Sequence, residues 1–386
     1  MTKTDHRLDT KLIHAGEPEP RIEGAVAMPI FQSSTYEYAG ATSYHDLKYI
    51  RLNNTPNHRV LHAKLAALEN AESALVTASG MAAISTTLLT LLGAGDHLLA
   101  QDCLYGGTHD FLTSHAEDLG LSHTFVDDQR PETWKAAARP NTRLFLVETI
   151  TNPLMRVPRL DEVVAFARAE RLLTVIDNTF ASPVNFRPLS RGFDVSFHSA
   201  TKYLNGHSDI VAGCVLGSAE RVDQVRRTLN LYGGTLDPHA GFLLERGTKT
   251  LALRVRAQNA NALALARFLA QSPKVTEVNY AGLESHPDHP HARKLLSGFG
   301  GMLSLRLKGG AAAAERLIKE VRIPYFAPSL GGVETLIVQP ARTSHAGMRA
   351  EDRERLGVTD DLVRVSCGIE AGEDLVEDFR QALEKV

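Results

Sequence analysis

The sequence predicts an α/β fold in which helices cover both faces of a mainly parallel sheet, the doubly wound arrangement. Short apolar segments recur at intervals between residues 97 and 217, and segments with helical spacing separate several of them. This alternation is typical of parallel strands joined by helices. The chain has 386 residues, of which 43% are hydrophobic. It can therefore bury a large core without disulfide bonds or a structural metal.

Composition excludes several classes of protein. The net charge of −3 lacks the basic excess of a dedicated nucleic-acid-binding protein. Cys103, Cys214 and Cys367 lie far apart, which favours a reducing compartment. The polar segment 1–20 does not resemble a signal peptide, and no run of about 18 apolar residues could cross a membrane. We therefore expect a cytoplasmic protein with neither nucleic-acid nor membrane partners.

The chain divides into three predicted parts. Residues 1–52 are rich in proline and aromatic residues and show little periodicity, so we interpret them as an extended arm that packs on another surface. Residues 53–248 are predicted to form the large domain, with a helix at 160–170. Its strand candidates are 97–100, 123–126, 143–148, 172–177, 194–199 and 210–217.

Residues 249–386 are predicted to form a smaller α+β domain. A long helical stretch is expected over 241–271, and the pattern changes after Pro273. The later candidates are strands at 275–281 and 301–309 and helices at 311–321 and 374–384.

Two charged residues follow neighbouring predicted strands of the large domain. Asp177 ends the segment 172–177, and Lys202 comes just after 194–199. Ligands of open α/β sheets bind at the carboxyl ends of strands, so both side chains could face one pocket. A desolvated lysine amine can attack an aldehyde, and a carboxylate can keep a pyridine nitrogen protonated. Pyridoxal phosphate requires these two groups, although a lone lysine after a strand is commonly a surface residue and Asp-Asn-Thr commonly a turn.

A phosphate site is predicted beside these residues. Ser79, Gly80 and Met81 open an apolar helix, whose first backbone N–H groups could bind a phosphate. Ser199 and Thr201 add hydroxyl groups next to the lysine. A Ser-Gly pair before a helix is also typical of an ordinary cap, so the residues alone leave the cofactor open.

The motifs around these residues resemble the Cys/Met-metabolism family of pyridoxal-phosphate enzymes, which includes cystathionine γ-synthase, cystathionine γ-lyase, cystathionine β-lyase and methionine γ-lyase. The resemblance spans roughly residues 10–386 and implies an aspartate-aminotransferase-like fold. The motifs that carry it are ASGMAAIS (78–85), YGGTHDF (105–111), ETITNP (148–153), VIDNTFASP (175–183), SFHSATKYLNGHSD (196–209), SLGGVETLI (329–337) and VRVSCGIEAGEDLVEDFRQAL (363–383).

The resemblance implies a role for each matching residue. Lys202 would bind the cofactor aldehyde and serve as the mobile acid and base, and Asp177 would pair with the ring nitrogen. Tyr105 would stack on the ring and assist proton transfer to a sulfur leaving group. Arg364 would bind the substrate α-carboxylate as a bidentate fork, and Ser329 would position either the reacting aldimine or the lysine. The other cofactor-binding residues implied are Ser79, Gly80, Met81, Asn152, Ser199 and Thr201.

The resemblance also gives the arm a function. Tyr49 and Arg51 would complete the phosphate site of a neighbouring subunit, and the family usually forms homotetramers from two such dimers. Three features depart from the family pattern. The loop 52–57 is altered, Pro328 stands where many γ-synthases and γ-lyases have Glu, and Gly107 stands where methionine γ-lyases often have Cys.

The segment 341–348 holds three candidates for substrate specificity. These are Arg342, Thr343 and His345, and an ordinary surface loop is the alternative interpretation. The loop with His286, His289 and His291 lacks a second pair of ligands, so we expect no metal site.

The leading functional prediction is a transsulfuration enzyme acting at Cγ of a small amino-acid substrate, with cystathionine γ-synthase or γ-lyase activity. The alternatives are a cystathionine β-lyase and a γ-lyase for another γ-substituted amino acid. A degenerate, non-catalytic member would lack Lys202, Asp177 or Arg364, and all three are present.

Overall fold

A computed structural model describes residues 6–386 of the chain. The first five residues of the predicted arm, which also begin the segment compared with a signal peptide, lie outside the described residues. Within 6–386, no helix is long and apolar enough to cross a membrane.

A seven-stranded sheet forms the centre of the large domain. Its order is β1-β7-β6-β5-β4-β2-β3. Strands β2 to β6 pair in parallel, whereas β7 runs antiparallel to both β1 and β6. The predicted mainly parallel sheet is therefore confirmed. Its strands are β1 Ser73–Thr77, β2 His97–Gln101, β3 Ser122–Val126, β4 Thr142–Glu148, β5 Leu173–Asp177, β6 Val195–His198 and β7 Gly213–Gly217.

Helices cover both faces of this sheet and bury two separate apolar clusters against it. One face packs on a helix that begins at Gly80, and the opposite face packs on the helix that begins at Pro56. The helices of this part of the chain are α1 Leu8–His14, α2 Pro56–Glu69, α3 Gly80–Leu91, α4 Gly106–Asp110, α5 Pro131–Ala137, α6 Leu160–Glu170, α7 Ser182–Asn185, α8 Ala219–Tyr232 and α9 Pro238–Thr248.

A second, five-stranded sheet has the order β10-β11-β12-β9-β8 and is antiparallel except between β10 and β11. One of its faces buries a third apolar cluster under helices of the C-terminal part. The elements are α10 Leu251–Gln271, β8 Val275–Asn279, α11 His289–Leu295, β9 Met302–Leu307, α12 Gly310–Glu320, β10 Tyr325–Phe326, β11 Leu336–Val338, α13 Ala350–Arg355, β12 Leu362–Ser366 and α14 Gly372–Glu384.

The long helix predicted over 241–271 is wrong in one respect, because α9 ends at Thr248 and α10 begins at Leu251. At the break the carbonyl of Gly247 accepts a hydrogen bond from Nη2 of Arg254 at 2.8 Å. The same guanidinium also binds the carbonyl of Tyr203 at 2.7 Å. A buried arginine therefore satisfies a backbone group at the helix end and ties the break to the segment after Lys202.

The arm begins with a helix rather than with extended chain. Leu8 and Leu12 of α1 lie four residues apart, and both pack against the apolar cluster beneath the first sheet. Residues 15–55 contain three short turns of 3-10 helix, at Ile22–Gly24, Tyr44–Asp46 and Ile50–Leu52, and an isolated antiparallel bridge between Thr35 and Tyr49. The domain bounds at 52 and 248 stay predictions.

Candidate active site

A cavity of about 520 Å3 lies at the carboxyl ends of β4, β5 and β6, between the two sheets. It collects every residue that the resemblance implies for binding the cofactor or the substrate carboxylate, except Tyr49 and Arg51. The predicted residues that line it are Ser79, Gly80, Met81, Tyr105, Asn152, Asp177, Ser199, Thr201, Lys202, Ser329 and Arg364.

Asp177 is the last residue of β5, and its carboxyl group projects from the end of the strand into the cavity. The backbone N–H of Thr179 donates to Asp177 Oδ1 at 2.8 Å, which fixes the carboxyl orientation. Burial raises the pKa of Asp177, and the hydrogen bonds from Thr179 oppose this rise in part. A cation placed against this carboxyl would favour its charged form.

Lys202 lies in the turns that follow β6, where its backbone N–H donates to the carbonyl of Ser199 at 3.1 Å. Its Nζ donates to Oγ of Ser329 at 2.7 Å, across the gap between the two sheets. Burial, with a further contribution from the charge of Arg364, lowers the pKa of Lys202 to about 8. The amine is therefore neutral far more often near pH 8 than an ordinary lysine.

Arg364 comes from the middle of β12 and is 4% exposed. Its Nη1 donates to Asn152 Oδ1 at 3.0 Å, and its Nη2 donates to the carbonyl of Ser329 at 3.0 Å. Burial lowers the pKa of Arg364 to about 10, so the guanidinium stays cationic at neutral pH. A carboxylate entering the cavity thus meets a fixed positive charge.

The first turn of α3 forms the opposite wall. Ser79 is its N-cap, and Oγ of Ser79 accepts from the N–H of Ala82 at 3.0 Å. A Cβ on Gly80 would lie 2.7 Å from Cβ of Ser199, so only glycine allows the helix start to pack on the segment that leads to Lys202. The Thr201 hydroxyl donates to the carbonyl of Ala212 at 3.1 Å, so its proton is already engaged there.

Glu148 is a cavity residue that the sequence analysis missed. It ends β4 as Asp177 ends β5, and the parallel register pairs these two residues. Oε1 of Glu148 accepts from the backbone N–H of Tyr105 at 2.6 Å, which anchors the residue whose ring is 40% exposed at the cavity. Burial and the neighbouring charge of Asp177 raise the pKa of Glu148 well above its usual value. The signal was available, because Glu148 is also the terminal residue of a predicted strand.

His198 and Glu69 form a second group that the sequence analysis missed. His198 Nε2 lies 2.6 Å from Glu69 Oε1, and both side chains are buried. The same carboxyl oxygen accepts from Nδ2 of Asn178 at 2.8 Å. The charge of His198 also lowers the pKa of Asp177. This group therefore supports the segment that carries Asp177 from behind.

Tyr49 and Arg51 do not reach the cavity within one chain. Arg51 Nη1 donates to the carbonyl of Asn230 at 2.6 Å, Nη2 donates to the hydroxyl of Tyr44, and the Tyr49 ring is 38% exposed. Of the three specificity candidates, Thr343 lines the cavity and His345 is buried beside it. Arg342 instead pairs with Glu315, its Nη2 lying 2.6 Å from a carboxyl oxygen.

The cavity fits pyridoxal phosphate by the chemistry of its side chains. It offers an amine of lowered pKa, a buried carboxyl, an aromatic ring and a helix N-terminus whose first N–H groups have no intrahelical partner. Gly80 packs directly on Ser199, so the start of this helix lies against the segment that leads to Lys202. Among residues 6–386, no group of three or more His, Cys, Asp or Glu side chains is arranged to hold a metal ion.

Comparison with known proteins agrees with this arrangement. The family model of Cys/Met metabolism PLP-dependent enzymes matches residues 9–384. The cystathionine gamma-lyase of Bacillus subtilis (strain 168) is 41% identical over 378 residues, covering 98% of this chain and 99% of that protein. The cystathionine beta-lyase of Lactococcus lactis subsp. cremoris (strain MG1363) is 41% identical over 379 residues, with the same coverage. The crystal structure of metB from Corynebacterium glutamicum superposes with a TM-score of 0.95 at 35% identity, covering 100% of both chains.

The chain belongs to the Cys/Met metabolism family of pyridoxal-phosphate-dependent enzymes. It is therefore an enzyme that depends on pyridoxal phosphate, and the predictions of family, fold class and cofactor are confirmed.

Proposed function

We propose that this protein is a transsulfuration enzyme that acts at Cγ of an amino acid such as cystathionine or a homoserine ester. One observation carries the proposal, namely that Ser329 contacts both Lys202 and Arg364. Its hydroxyl accepts a hydrogen bond from the Lys202 amine, and its carbonyl accepts one from the Arg364 guanidinium. An amino acid whose carboxylate binds Arg364 therefore presents its Cα close to the amine.

Each residue has a proposed task. Pyridoxal phosphate, when bound, supplies an electron sink that stabilises negative charge at Cα of the substrate. Lys202 removes the proton from Cα and then moves a proton at Cβ, a double task that suits an amine whose pKa lies near 8. Asp177 holds the proton on the ring nitrogen. The other residues proposed to hold the cofactor are Ser79, Gly80, Met81, Tyr105, Asn152, Ser199 and Thr201, with Tyr49 and Arg51 from a neighbouring subunit.

A cystathionine β-lyase is the second candidate. Pro328 lines the cavity next to Ser329 and supplies no charge at the position where many γ-synthases and γ-lyases have Glu. The Lactococcus lactis β-lyase is as similar to this chain as the Bacillus subtilis γ-lyase, at 41% identity.

Incubation of the holoenzyme with cystathionine separates these functions. Cleavage at Cγ takes up water and yields cysteine, 2-oxobutanoate and ammonia, whereas cleavage at Cβ yields homocysteine, pyruvate and ammonia. Formation of cystathionine from cysteine and O-acetyl- or O-succinylhomoserine would identify a γ-synthase. Lys202→Ala is the control and is expected to form none of these products. Formation of homocysteine, pyruvate and ammonia without any cysteine or 2-oxobutanoate would overturn the Cγ proposal.

We also propose that the enzyme is a homotetramer of two dimers located in the cytoplasm. The arm supports the assembly, because it leaves Val26, Tyr38 and Tyr44 exposed on a single chain. The three cysteines are free and buried, as expected where thiols stay reduced. Light scattering coupled to size-exclusion chromatography measures the assembly.

A further inference from the structure

One wall of the cavity is formed by the segment 340–348, which follows β11. Thr343 and Ser344 of this segment line the cavity. The segment is closed by its own backbone hydrogen bonds, in which His345 N–H donates to the Pro340 carbonyl at 3.0 Å and Met348 N–H donates to the His345 carbonyl at 3.1 Å. Because these hydrogen bonds fix the shape of the segment 340–348, its position in the cavity wall depends on the surface against which the segment packs.

That surface is the turn that carries Tyr105. The carbonyl oxygen of Ser344 lies so close to Gly106 that a Cβ on Gly106 would be 2.1 Å from it and 3.7 Å from Cα of His345. Gly106 is the first residue of α4 and has helical backbone, so alanine would suit its conformation. The close approach of the Ser344 carbonyl is therefore the reason for glycine at this position.

His345 binds the same turn from the other side. Its side chain is 2% exposed, and Oγ of Ser344 lies 2.9 Å from its Nδ1. Backbone groups of Asn152 and of Leu104, the residue before Tyr105, face the ring and oppose part of the lowering of its pKa. Burial lowers the pKa of His345 to about 4, so the ring is neutral at physiological pH. The segment is thus held on both sides of Tyr105.

We propose that Gly106 is a positioning residue that sets the substrate-side wall of the cavity. Its missing side chain lets the Ser344 carbonyl seat on the helix start, and this contact fixes Thr343 and Ser344 relative to the Tyr105 ring. The inference rests on the proposed function in taking this cavity as the substrate site. Beyond that function, we infer that the segment 340–348 and the turn that carries Tyr105 keep a fixed position relative to each other.

The test compares Gly106→Ala with Gly347→Ala in the holoenzyme. Gly347 lies in the same segment, and a Cβ there would have no heavy atom within 4 Å, so Gly347→Ala is a matched control. We expect Gly106→Ala to raise KM about tenfold with a smaller change in kcat, because a wall residue is misplaced while the reacting groups stay. We also expect faster tryptic cleavage after Arg349 and Arg355, which are exposed just beyond the segment. Gly347→Ala should match the wild type in both measurements.

The proteolysis measurement does not depend on the reaction catalysed, so it tests the packing even if the proposed substrate is wrong. Wild-type KM and wild-type cleavage in Gly106→Ala would overturn the inference, as would an equal effect of Gly347→Ala. If Gly106→Ala does not fold, His345→Gln tests the same contact from the other side. It removes the buried ring without adding a clash, and it should also speed cleavage and raise KM. Unchanged cleavage and KM in His345→Gln would contradict the inference.

Discussion

At the scale of single residues, Ser329 links the two cations of the cavity and does so in a strained conformation. Its φ is +118°, a region that residues with a side chain rarely adopt. Strain of this kind costs on the order of 1–3 kcal/mol. In this conformation the hydroxyl accepts from Lys202 while the carbonyl accepts from Arg364. The strain therefore positions the proposed catalytic base relative to the carboxylate site.

The lowered pKa of Lys202 leads to a prediction about cofactor uptake. Only the neutral amine attacks an aldehyde, so the rate at which cofactor-free protein takes up pyridoxal phosphate should rise with pH and level off above about 8. Because the charge of Arg364 contributes to this lowering, Arg364→Ala should move the midpoint to higher pH. The rate is measured by absorbance from roughly pH 6 to 10.

Lys202→Ala is the control for this measurement, because site-specific uptake should be lost. A midpoint near that of an ordinary lysine in the wild type would contradict the prediction, and a midpoint unmoved by Arg364→Ala would contradict the assigned cause. Burial remains the larger contribution, so the variant should keep a midpoint below the ordinary lysine value.

Lys202 and Asp177 could be predicted from sequence because each directly follows or ends a strand, and strand ends meet at one edge of a parallel sheet. The hydrogen bonds from Ser329 to both cations could not be predicted from sequence. Ser329 is 127 positions from Lys202 and 35 positions from Arg364 along the chain. The engagement of the Thr201 hydroxyl by Ala212 is likewise a tertiary contact. Local patterns indicate which residue types lie at an edge, but not their partners.

At the scale of elements, the periodic segments were predicted well and the short or irregular ones were not. The helix predicted over 160–170 coincides with α6, and the strand predicted over 172–177 with all of β5. Strand β1 was missed, although it is buried at the end of the sheet beside β7. The break between α9 and α10 was missed because apolar spacing continues across it, and the hydrogen bond from Arg254 to the Gly247 carbonyl at the break leaves no mark on that spacing.

Helix α2 carries the element-scale prediction. Lys64 of α2 is fully buried, and its Nζ lies 3.0 Å from Glu245 Oε1 of α9 and 3.0 Å from the carbonyl of Leu12 in α1. Lys64→Ala should remove the fully buried cationic partner of Glu245 and leave only the partly exposed Lys249, so it should destabilise the fold by at most about 3–5 kcal/mol. The thermal unfolding midpoint of the holoenzyme measures this effect.

Lys249 provides the matched comparison, because its Nζ also contacts Glu245, at 3.0 Å, but its side chain is 25% exposed. Lys249→Ala should lower the midpoint much less, since water can replace a partly exposed cation. Equal shifts for the two variants would show that the full burial of Lys64 does not make its pair with Glu245 more stabilising than the pair with Lys249.

At the scale of the whole molecule, the arm is the part that a single chain does not explain. Its helix α1 packs on the large domain, yet Tyr49 and Arg51 lie outside the cavity of their own chain. The Arg51 guanidinium donates hydrogen bonds to the Tyr44 hydroxyl and the Asn230 carbonyl. Within residues 6–386 it forms no ion pair with a carboxylate, so its charge is not neutralised there. This arrangement supports the proposal that the arm serves a neighbouring subunit.

Hybrid enzymes test this proposal. If each site combines Lys202 of one chain with Arg51 of its neighbour, a dimer of one Lys202→Ala chain and one Arg51→Ala chain contains one intact site and one doubly defective site. Random mixing of the two inactive variants should then restore about a quarter of the wild-type activity. About half of the dimers are hybrids, and one of the two sites in each hybrid is intact. Differently tagged chains verify that hybrids form.

Lys202→Ala mixed with Asp177→Asn is the control, since both residues belong to the same chain's cavity and no intact site can arise. Hybrids of Lys202→Ala and Arg51→Ala that form but stay inactive would show that the arm does not complete its neighbour's site.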